Sequence, residues 1–426
     1  MKAAFLTLGC KLNYAETSTY ERGLRQAGWD VVPWQQKADL YIVNTCSVTA
    51  TSDAKSRNLV RKVHRVNPEA SIFVTGCSAE LRRADLENIP GVTRVFGCHE
   101  KHLVVPAAKE ISVVPGSTLC RTVVTRDSVN GRSGQTVFAA YSTGERTRSF
   151  LKVQDGCNNY CKYCTVPYAR GESRNIPISQ AVCMAEAIAS EGVKEIVLTG
   201  VNTGDFGRTT GESFLDLLKA LDKVPGIERY RISSIEPNLL TEEIIDWIAS
   251  GTKFQPHFHI PLQTGCDELL EAMGRHYDTD YFFRKIQYIR NAMEGPGKPK
   301  VFFGIDVMVG LPGETLERFE TTRRFIEKVR PAFIHVFPYS RRPGTPAAQM
   351  PGQVSEQEKA RRVAVLEQLC SRLHSEFTEL NRGVREKVLF ESSDRGGRME
   401  GYTGNYIRIE RPYDGTLTNC LVDVII

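Results

Sequence analysis

Three cysteines stand close together as Cys157-Asn-Asn-Tyr-Cys161-Lys-Tyr-Cys164, a C-x3-C-x2-C spacing. Three thiolates this near one another can converge on one metal centre. Three ligands, not four, leave one iron of a [4Fe–4S] cluster open to a further group. The competing readings are a structural zinc site and three buried free thiols. Structural zinc takes four ligands, usually in paired spacing, and no second pair lies near this stretch. A second group of thiols is dispersed: Cys10, Cys46 and Cys77 are separated by 35 and 30 residues. Each follows a short apolar run, in the contexts LGCKLN, NTCSV and TGCSAE. Parallel strands of one sheet bring their C-terminal ends to one edge, so three such residues can meet in space. By position alone they are equally well small thiols packed at strand ends.

The elements that must position these residues form two α/β series. In the first, strands Ala3–Thr7, Asp39–Val43 and Ser71–Thr75 alternate with helices Ala15–Ala27 and Ser52–Val66. Such alternation predicts a parallel sheet with crossover helices, here over residues 1–110. Residues 111–148 are turn-rich and read as a linker with room for a strand or two. Six strands follow: Phe150–Gln154, Glu195–Thr199, Arg229–Ile235, His257–Leu262, Val301–Val309 and Phe333–Phe337. With helices between them they predict a partial (β/α)6 barrel, not a closed eight-fold one. A long helix, Val354–Asn381, ends this domain of residues 149–381. Residues 384–426 alternate strand-like runs with Gly-rich turns and read as a small all-β module. The fold class is therefore α/β with an all-β tail. Cys157 falls just after the first barrel strand, where such folds carry their chemistry.

Composition narrows the class. The chain has 426 residues, 41% of them hydrophobic and 25% charged, which suits a folded chain and not a disordered one. No run of 18 apolar residues occurs, so no membrane partner is expected. The start, MKAAFLTLGC, reads as a strand and not as a signal peptide, so a cytoplasmic protein is expected. Twelve cysteines without an export signal point to metal or redox work for some of them. The net charge of +5 permits a nucleic-acid partner without requiring one.

The triplet resembles the cluster motif of the radical S-adenosylmethionine superfamily, in which an aromatic residue, here Tyr163, precedes the third cysteine. The resemblance implies that Cys157, Cys161 and Cys164 hold a [4Fe–4S] cluster whose open iron chelates S-adenosylmethionine. Gly200 and Asn202, in LTGVN, resemble the superfamily's glycine motif at the cofactor. Gln263 and Asp306, near the ends of the fourth and fifth strands, are further cofactor candidates. For Asp306 a structural hydrogen bond is at least as good a reading, because a carboxylate inside an apolar strand needs partners.

The Cys10, Cys46 and Cys77 contexts, taken with the triplet, resemble the methylthiotransferase family over essentially the whole chain. That resemblance implies a second [4Fe–4S] cluster on Cys10, Cys46 and Cys77, and a C-terminal TRAM-like RNA-binding barrel. It implies two uses of S-adenosylmethionine, as methyl donor and as radical source, with the clusters rather than a side chain carrying the chemistry. Members acting on isopentenyl-adenosine usually read GCQMN at the first cysteine. TLGCKLNYAET is more similar to the subgroup that methylthiolates N6-threonylcarbamoyladenosine beside the tRNA anticodon. The partners implied are the anticodon stem-loop, a sulfur donor and an electron donor. The rivals are the same chemistry on isopentenyl-adenosine or on a ribosomal-protein aspartate, and a non-catalytic zinc- and RNA-binding protein.

Other residues have two readings each. Lys55, Arg57, Arg61, Lys62 and Arg65 on the second helix either track phosphates or form a solvated face. Arg341 and Arg342 can meet phosphates or a carboxylate. Arg170 and Arg174 are cluster neighbours or rim salt bridges. Among the remaining cysteines, Cys98 is the one with a possible link to a cluster, and Cys183 and Cys370 read as packing. The eight histidines show no metal-binding spacing. The tail holds six basic and seven acidic side chains, so RNA binding there rests on arrangement and on Tyr402 and Tyr406, which read equally well as core.

Overall fold

A computed structural model describes residues 1–112, 137–143, 147–392 and 394–426. Most of the expected linker, Cys120 included, lies outside the described residues. No helix among the described residues is long and apolar enough to cross a membrane.

The N-terminal sheet has five parallel strands: β1 (Lys2–Thr7), β2 (Asp30–Val31), β3 (Leu40–Thr45), β4 (Ser71–Gly76) and β5 (Val92–Phe96), in the order β2-β1-β3-β4-β5. Every residue of β3 and β4 is buried. Their side chains alternate between two cores, Tyr41, Val43, Ile72 and Val74 on one face and Leu40, Ile42 and Phe73 on the other. Covering both faces explains why these strands are nearly continuous apolar runs. Helix α1 (Lys11–Gln26) begins directly after Cys10, four residues earlier than its apolar periodicity suggests. The left-handed turn at Gly9 (φ 98°) lets the chain leave the strand and enter the helix within that space. Helix α2 (Ala50–Val66) starts behind Thr49, whose hydroxyl accepts from the Ser52 N–H.

Part of the expected linker is a strand, β6 (Ala140–Tyr141), paired antiparallel with β7 (Arg148–Lys152). The strand expected over Phe150–Gln154 stops at Lys152. The chain then turns into β8 (Gln154–Asp155), which pairs with β9 (Arg174–Asn175). The barrel continues through β10 (Glu195–Thr199), β11 (Arg229–Ile232), β12 (His257–His259), β13 (Phe302–Val309) and β14 (Phe333–Pro338). β7, β10 and β11 are parallel neighbours, as are β12, β13 and β14. Two isolated bridges, Tyr230 to Phe254 and Ser234 to His259, join the two groups. The result is a six-strand arc left open beside β6 and β7, and α1 packs there: Tyr14 meets Phe150 edge-on at 5.7 Å.

The tail forms an antiparallel sheet of β15 (Arg385–Phe390), β16 (Arg398–Tyr402), β17 (Arg408–Pro412) and β18 (Leu421–Ile425), in the order β17-β16-β15-β18. It sits at the N-terminal ends of the barrel strands. Arg231 donates to the Gly404 and Thr403 carbonyls at 2.7 and 2.8 Å, and Arg229 donates to the Tyr402 carbonyl at 3.1 Å.

One buried ionic network locks α1 to the barrel. Glu16 takes Lys101 at 2.6 Å and Lys152 at 2.7 Å, and Arg170 reaches it at 3.3 Å. Asp155 takes Lys152 at 2.6 Å, Arg170 at 2.8 Å and Arg174 at 3.6 Å. Arg170 also donates to the Asn13 side chain at 2.7 Å. Glu16, Lys101 and Lys152 have no exposed side-chain surface. Burial pushes the Glu16 carboxyl up, but Lys101, Lys152 and Arg170 together outweigh it and hold the group well below the usual carboxylate range. Asp155 is lowered in the same way, chiefly by Arg170 and Lys152 against burial.

Removing Glu16 strands the Lys101 ammonium without solvent and leaves Lys152 to Asp155 alone. We expect Glu16→Ala to lose about 3–5 kcal/mol of stability in urea unfolding. Glu21→Ala, which breaks an exposed pair with Arg25, should cost about 0.5 kcal/mol. Because the folded carboxyls are depressed, the network's contribution is complete above about pH 5 and is lost as the pH falls below it. The wild-type and Glu16→Ala stabilities should therefore converge in acid.

Candidate active site

Cys10, Cys46 and Cys77 follow β1, β3 and β4, three adjacent strands, at their C-terminal edge. β1 and β3 are where the strand order reverses, the place at which open parallel sheets take ligands. Glycines make the approach possible. A Cβ on Gly9 would stand 2.9 Å from the Cys46 sulfur. Gly76 has φ 100° and ψ −168°, a conformation essentially confined to glycine, and a Cβ there would strike the Thr45 carbonyl. Burial pushes the Cys46 thiol up to about 11. Cys77 is drawn well below the usual thiol range, first by a hydrogen bond from Cys98 and then by Arg170 and Lys101. Cys98, which the sequence singled out, is thus a direct neighbour of this group.

The second triplet lies beyond β8. The Cys157 sulfur accepts the Asn159 N–H at 3.5 Å, the Cys164 sulfur accepts the Val166 N–H at 3.4 Å, and Arg275 donates to the Cys161 sulfur at 3.2 Å. Donors aimed at sulfur favour thiolate and tune a cluster. Burial alone pushes Cys157 up to about 11 and Cys164 up to about 12. Thiols so placed ionise at neutral pH only beside a strongly cationic centre, so the donor set suits a metal cluster.

Arg170 and Thr165 link the surroundings of the two triplets. Arg170, six residues beyond Cys164, carries a guanidinium stabilised by Cys77 and Cys10 as well as by Asp155 and Glu16. Thr165 donates to the Ser47 carbonyl at 3.5 Å. In the network between them, Lys101, Lys152, Arg170 and Arg174 pair with Glu16 and Asp155, so among the described residues four cations meet two carboxylates. That dry positive surplus suits anionic cluster–thiolate centres.

The residues expected at S-adenosylmethionine are placed as follows. Gly200 lies against Gln154, whose side-chain oxygen accepts the N–H groups of Val201 and Asn202 at 2.9 and 3.0 Å. The Asn202 side-chain nitrogen, the Ser233 hydroxyl and one Asp205 oxygen are buried with no partner among the described residues. They cluster at the ends of β10 and β11, where the amino and carboxylate groups of a methionine moiety would satisfy them. Tyr163 is partly buried beside Met273 and Leu311, with Arg275 3.4 Å from its hydroxyl. Gln263 has a left-handed backbone (φ 67°), and its N–H donates to the Asp306 carbonyl at 2.8 Å. The Asp306 carboxylate stands 2.9 Å from His259 Nε2.

Some expectations are corrected. The histidines do form a potential metal-ligating group: donor atoms of His259, Asp306 and His335 lie within 4.8 Å of one another. They come from β12, β13 and β14, so spacing along the chain hid them. Arg342 is buried on Asp53 and Ser47, clasping α2 to the barrel, and cannot meet phosphate. Arg170 is an interior residue and not a rim one. Tyr402 and Tyr406 are neither simple core nor a free RNA face. They line a cavity of about 580 Å³ that also touches Cys10, Lys11, Arg148, Arg231, His257, His259 and His335. Sequence reasoning missed Lys11, Glu16, Lys101, Lys152 and Arg275 altogether.

Comparisons with known proteins agree with this geometry. Residues 151–326 match the radical SAM superfamily, and residues 2–97 match the uncharacterized protein family UPF0004. The threonylcarbamoyladenosine tRNA methylthiotransferase MtaB of Bacillus subtilis (strain 168) is 36% identical over 418 residues, covering 95% of this chain and 89% of that protein. Its counterpart in Aquifex aeolicus (strain VF5) is 34% identical over 417 residues, covering 96% and 97%. The tRNA-2-methylthio-N(6)-dimethylallyladenosine synthase of Carboxydothermus hydrogenoformans is 32% identical over 398 residues, covering 92% and 88%. Among solved structures, the radical S-adenosylmethionine methyltransferase TsrM from Kitasatospora setae shares the fold. Its TM-score is 0.56 at 16% identity, over 82% of this chain and 77% of that one.

Gly76→Ala should lose about 2–4 kcal/mol of stability, since it combines a forbidden backbone conformation with a collision inside the sheet. Gly28→Ala, also at positive φ (82°) but with nothing within 4 Å, should lose about 1 kcal/mol. Equal losses in urea unfolding would show that the close approach at Gly76 contributes nothing.

Proposed function

The chain belongs to the methylthiotransferase family of radical S-adenosylmethionine enzymes, and from that premise we propose that it replaces the C2 hydrogen of N6-threonylcarbamoyladenosine in tRNA with a methylthio group. The observation that carries this reading is the meeting of two cysteine triplets across the Arg170 network. It is supported by five relatives of that specificity at 33–36% identity, against 30–32% for those acting on dimethylallyladenosine. When bound, two [4Fe–4S] clusters and S-adenosylmethionine supply a carbon radical able to break an adenine C–H bond, together with the sulfur and methyl that the product gains.

This chain's residues hold, orient and exclude water. Cys157, Cys161 and Cys164 hold one cluster, with Arg275 and two backbone N–H groups directed at their sulfurs. Cys10, Cys46 and Cys77 hold the other. Asn202 and Ser233 offer donors to the methionine carboxylate, and Asp205 offers an acceptor to its amine. The Glu16–Arg170 network fixes one cysteine group relative to the other without admitting solvent. An electron donor and a sulfur donor come from outside the chain. The exposed face of α2 supplies Lys55, Arg61, Lys62 and Arg65, none of them in an ion pair among the described residues, as a track for tRNA phosphates. The C-terminal sheet is the second RNA-facing candidate, through its arrangement at the cavity and not through net charge.

The decisive experiment digests tRNA from cells with and without the gene and assays 2-methylthio-N6-threonylcarbamoyladenosine by mass spectrometry. Loss in the deletion, and restoration by the reconstituted enzyme, is the expected result. Loss of the isopentenyl counterpart instead would sink the substrate assignment. In anaerobically reconstituted protein, Cys157→Ala and Cys46→Ala should each lower iron from about eight to about four per chain. Replacing Lys55, Arg61 and Arg65 together by alanine should reduce the salt slope of tRNA binding by about two to three.

A further inference from the structure

Among the described residues, the cavity beside Cys10 is lined by one cation that has no hydrogen-bond or ion-pair partner. Its wall carries Lys11, Arg148, Arg231 and Arg408. Arg148 is bound to Glu391 and donates to the Tyr406 hydroxyl at 2.7 Å. Arg231 is bound to Glu195 at 2.8 Å and to two carbonyls of the C-terminal sheet. Arg408 is paired with Glu410. The Lys11 ammonium makes no hydrogen bond or ion pair among the described residues. The nearby acid, Asp306, is taken by His259 at 2.9 Å. Lys11 is thus an exposed cation at the mouth of the recess, beside Arg148 and Arg231, on the first residue of α1 and next to a proposed cluster ligand. Such a cation is stabilised when an anion enters.

The rest of the wall describes what enters with the anion. His257 stacks on Phe302 at 5.0 Å and meets Tyr406 at 4.9 Å, and Tyr406 meets Tyr402 at 5.0 Å. The buried Nδ1 of His257 makes no hydrogen bond among the described residues. The recess therefore combines flat faces, an unused ring nitrogen on His257 and one cation at its mouth. About 580 Å³ is ample for a nucleoside substituent.

We propose that Lys11 is the specificity residue of the enzyme, binding the carboxylate of the threonylcarbamoyl group while the aromatic recess holds the remainder of that substituent. This rests on the substrate reading above and names the group that enforces it. An apolar dimethylallyl group would leave the ammonium desolvated and unpaired, so the same residue that accepts one substrate rejects the other. Because Lys11 directly follows Cys10, grip on the carboxylate and the position of the sulfur-bearing site are set by one rigid helix start.

The test uses the reconstituted full-length enzyme and anticodon stem-loop RNAs bearing N6-threonylcarbamoyladenosine, its carboxamide analogue, or N6-dimethylallyladenosine. Binding is read by fluorescence anisotropy, turnover by mass spectrometry, and cluster content by iron analysis. Wild type should bind the acid roughly 10- to 100-fold more tightly than the carboxamide. Lys11→Gln should lose that preference, chiefly through KM, and Lys11→Arg should keep most of it. Equal wild-type affinity for acid and carboxamide would overturn the proposal. So would a Lys11→Gln variant that weakens both RNAs alike, which is the signature of a backbone phosphate on Lys11. If Lys11→Gln fails to take up iron, the wild-type comparison of acid with carboxamide still decides. Wild type that converts only the dimethylallyl RNA would instead defeat the substrate reading itself.

Discussion

A carboxylate with no route to water, Glu16, is the point on which the two halves of this protein turn. It stands on α1, in the domain that carries Cys10, Cys46 and Cys77. It is neutralised by Lys152 and Arg170, from the domain that carries the other triplet. A buried ion pair of this kind adds little net stability over apolar packing but punishes any misplacement of its members. That property matters here, because a reaction shared between two metal centres depends on their separation. Ionic bonds of 2.6–2.8 Å, with Asn13 as a neutral arm, are a stiffer spacer than an interface of interchangeable aliphatic side chains.

The same network shapes the electrostatics of the site. Its positive surplus lies beside sulfur, where the centres held by cysteine are anionic. Burial raises the Cys46, Cys157 and Cys164 thiols, whereas Cys77, beside Cys98, Arg170 and Lys101, is lowered. On the opposite side of α1, the barrel interior continues as a cavity closed by the C-terminal sheet. The tail therefore acts as a floor to the barrel as well as an appended module: Arg148, which begins β7, and Arg229 and Arg231 of β11 are all bonded to it.

Much of this could be read from the chain. Cys157, Cys161 and Cys164 are adjacent, so their spacing declares them, and the strand-end position of Cys10, Cys46 and Cys77 follows from β/α alternation. The six barrel strands are apolar runs of ordinary length, and only their ends differ from expectation. What was hidden depends on partners distant in sequence. Glu16 sits in an ordinary polar helix, and nothing local distinguishes it from Glu21 on the surface. Arg342 looks like a phosphate ligand until Asp53 is found beside it. His259, Asp306 and His335 meet because three strands are in register, a fact of pairing and not of spacing. Lys11 is conspicuous only because its neighbours are satisfied and it is not.

The dependence of Glu16 on residues beyond position 150 also orders events during synthesis. When the first hundred residues have emerged, β1 to β5 can pair, and Lys101 can meet one oxygen of Glu16. The other oxygen and the Asn13 side-chain oxygen have no partner until Lys152 and Arg170 are made. The N-terminal sheet therefore leaves the ribosome with an unfinished face, and the strand edge that bears Cys10, Cys46 and Cys77 matures only after the second cysteine triplet exists. The first cysteines to be translated thus stand on an edge whose ionic frame is among the later parts to be completed.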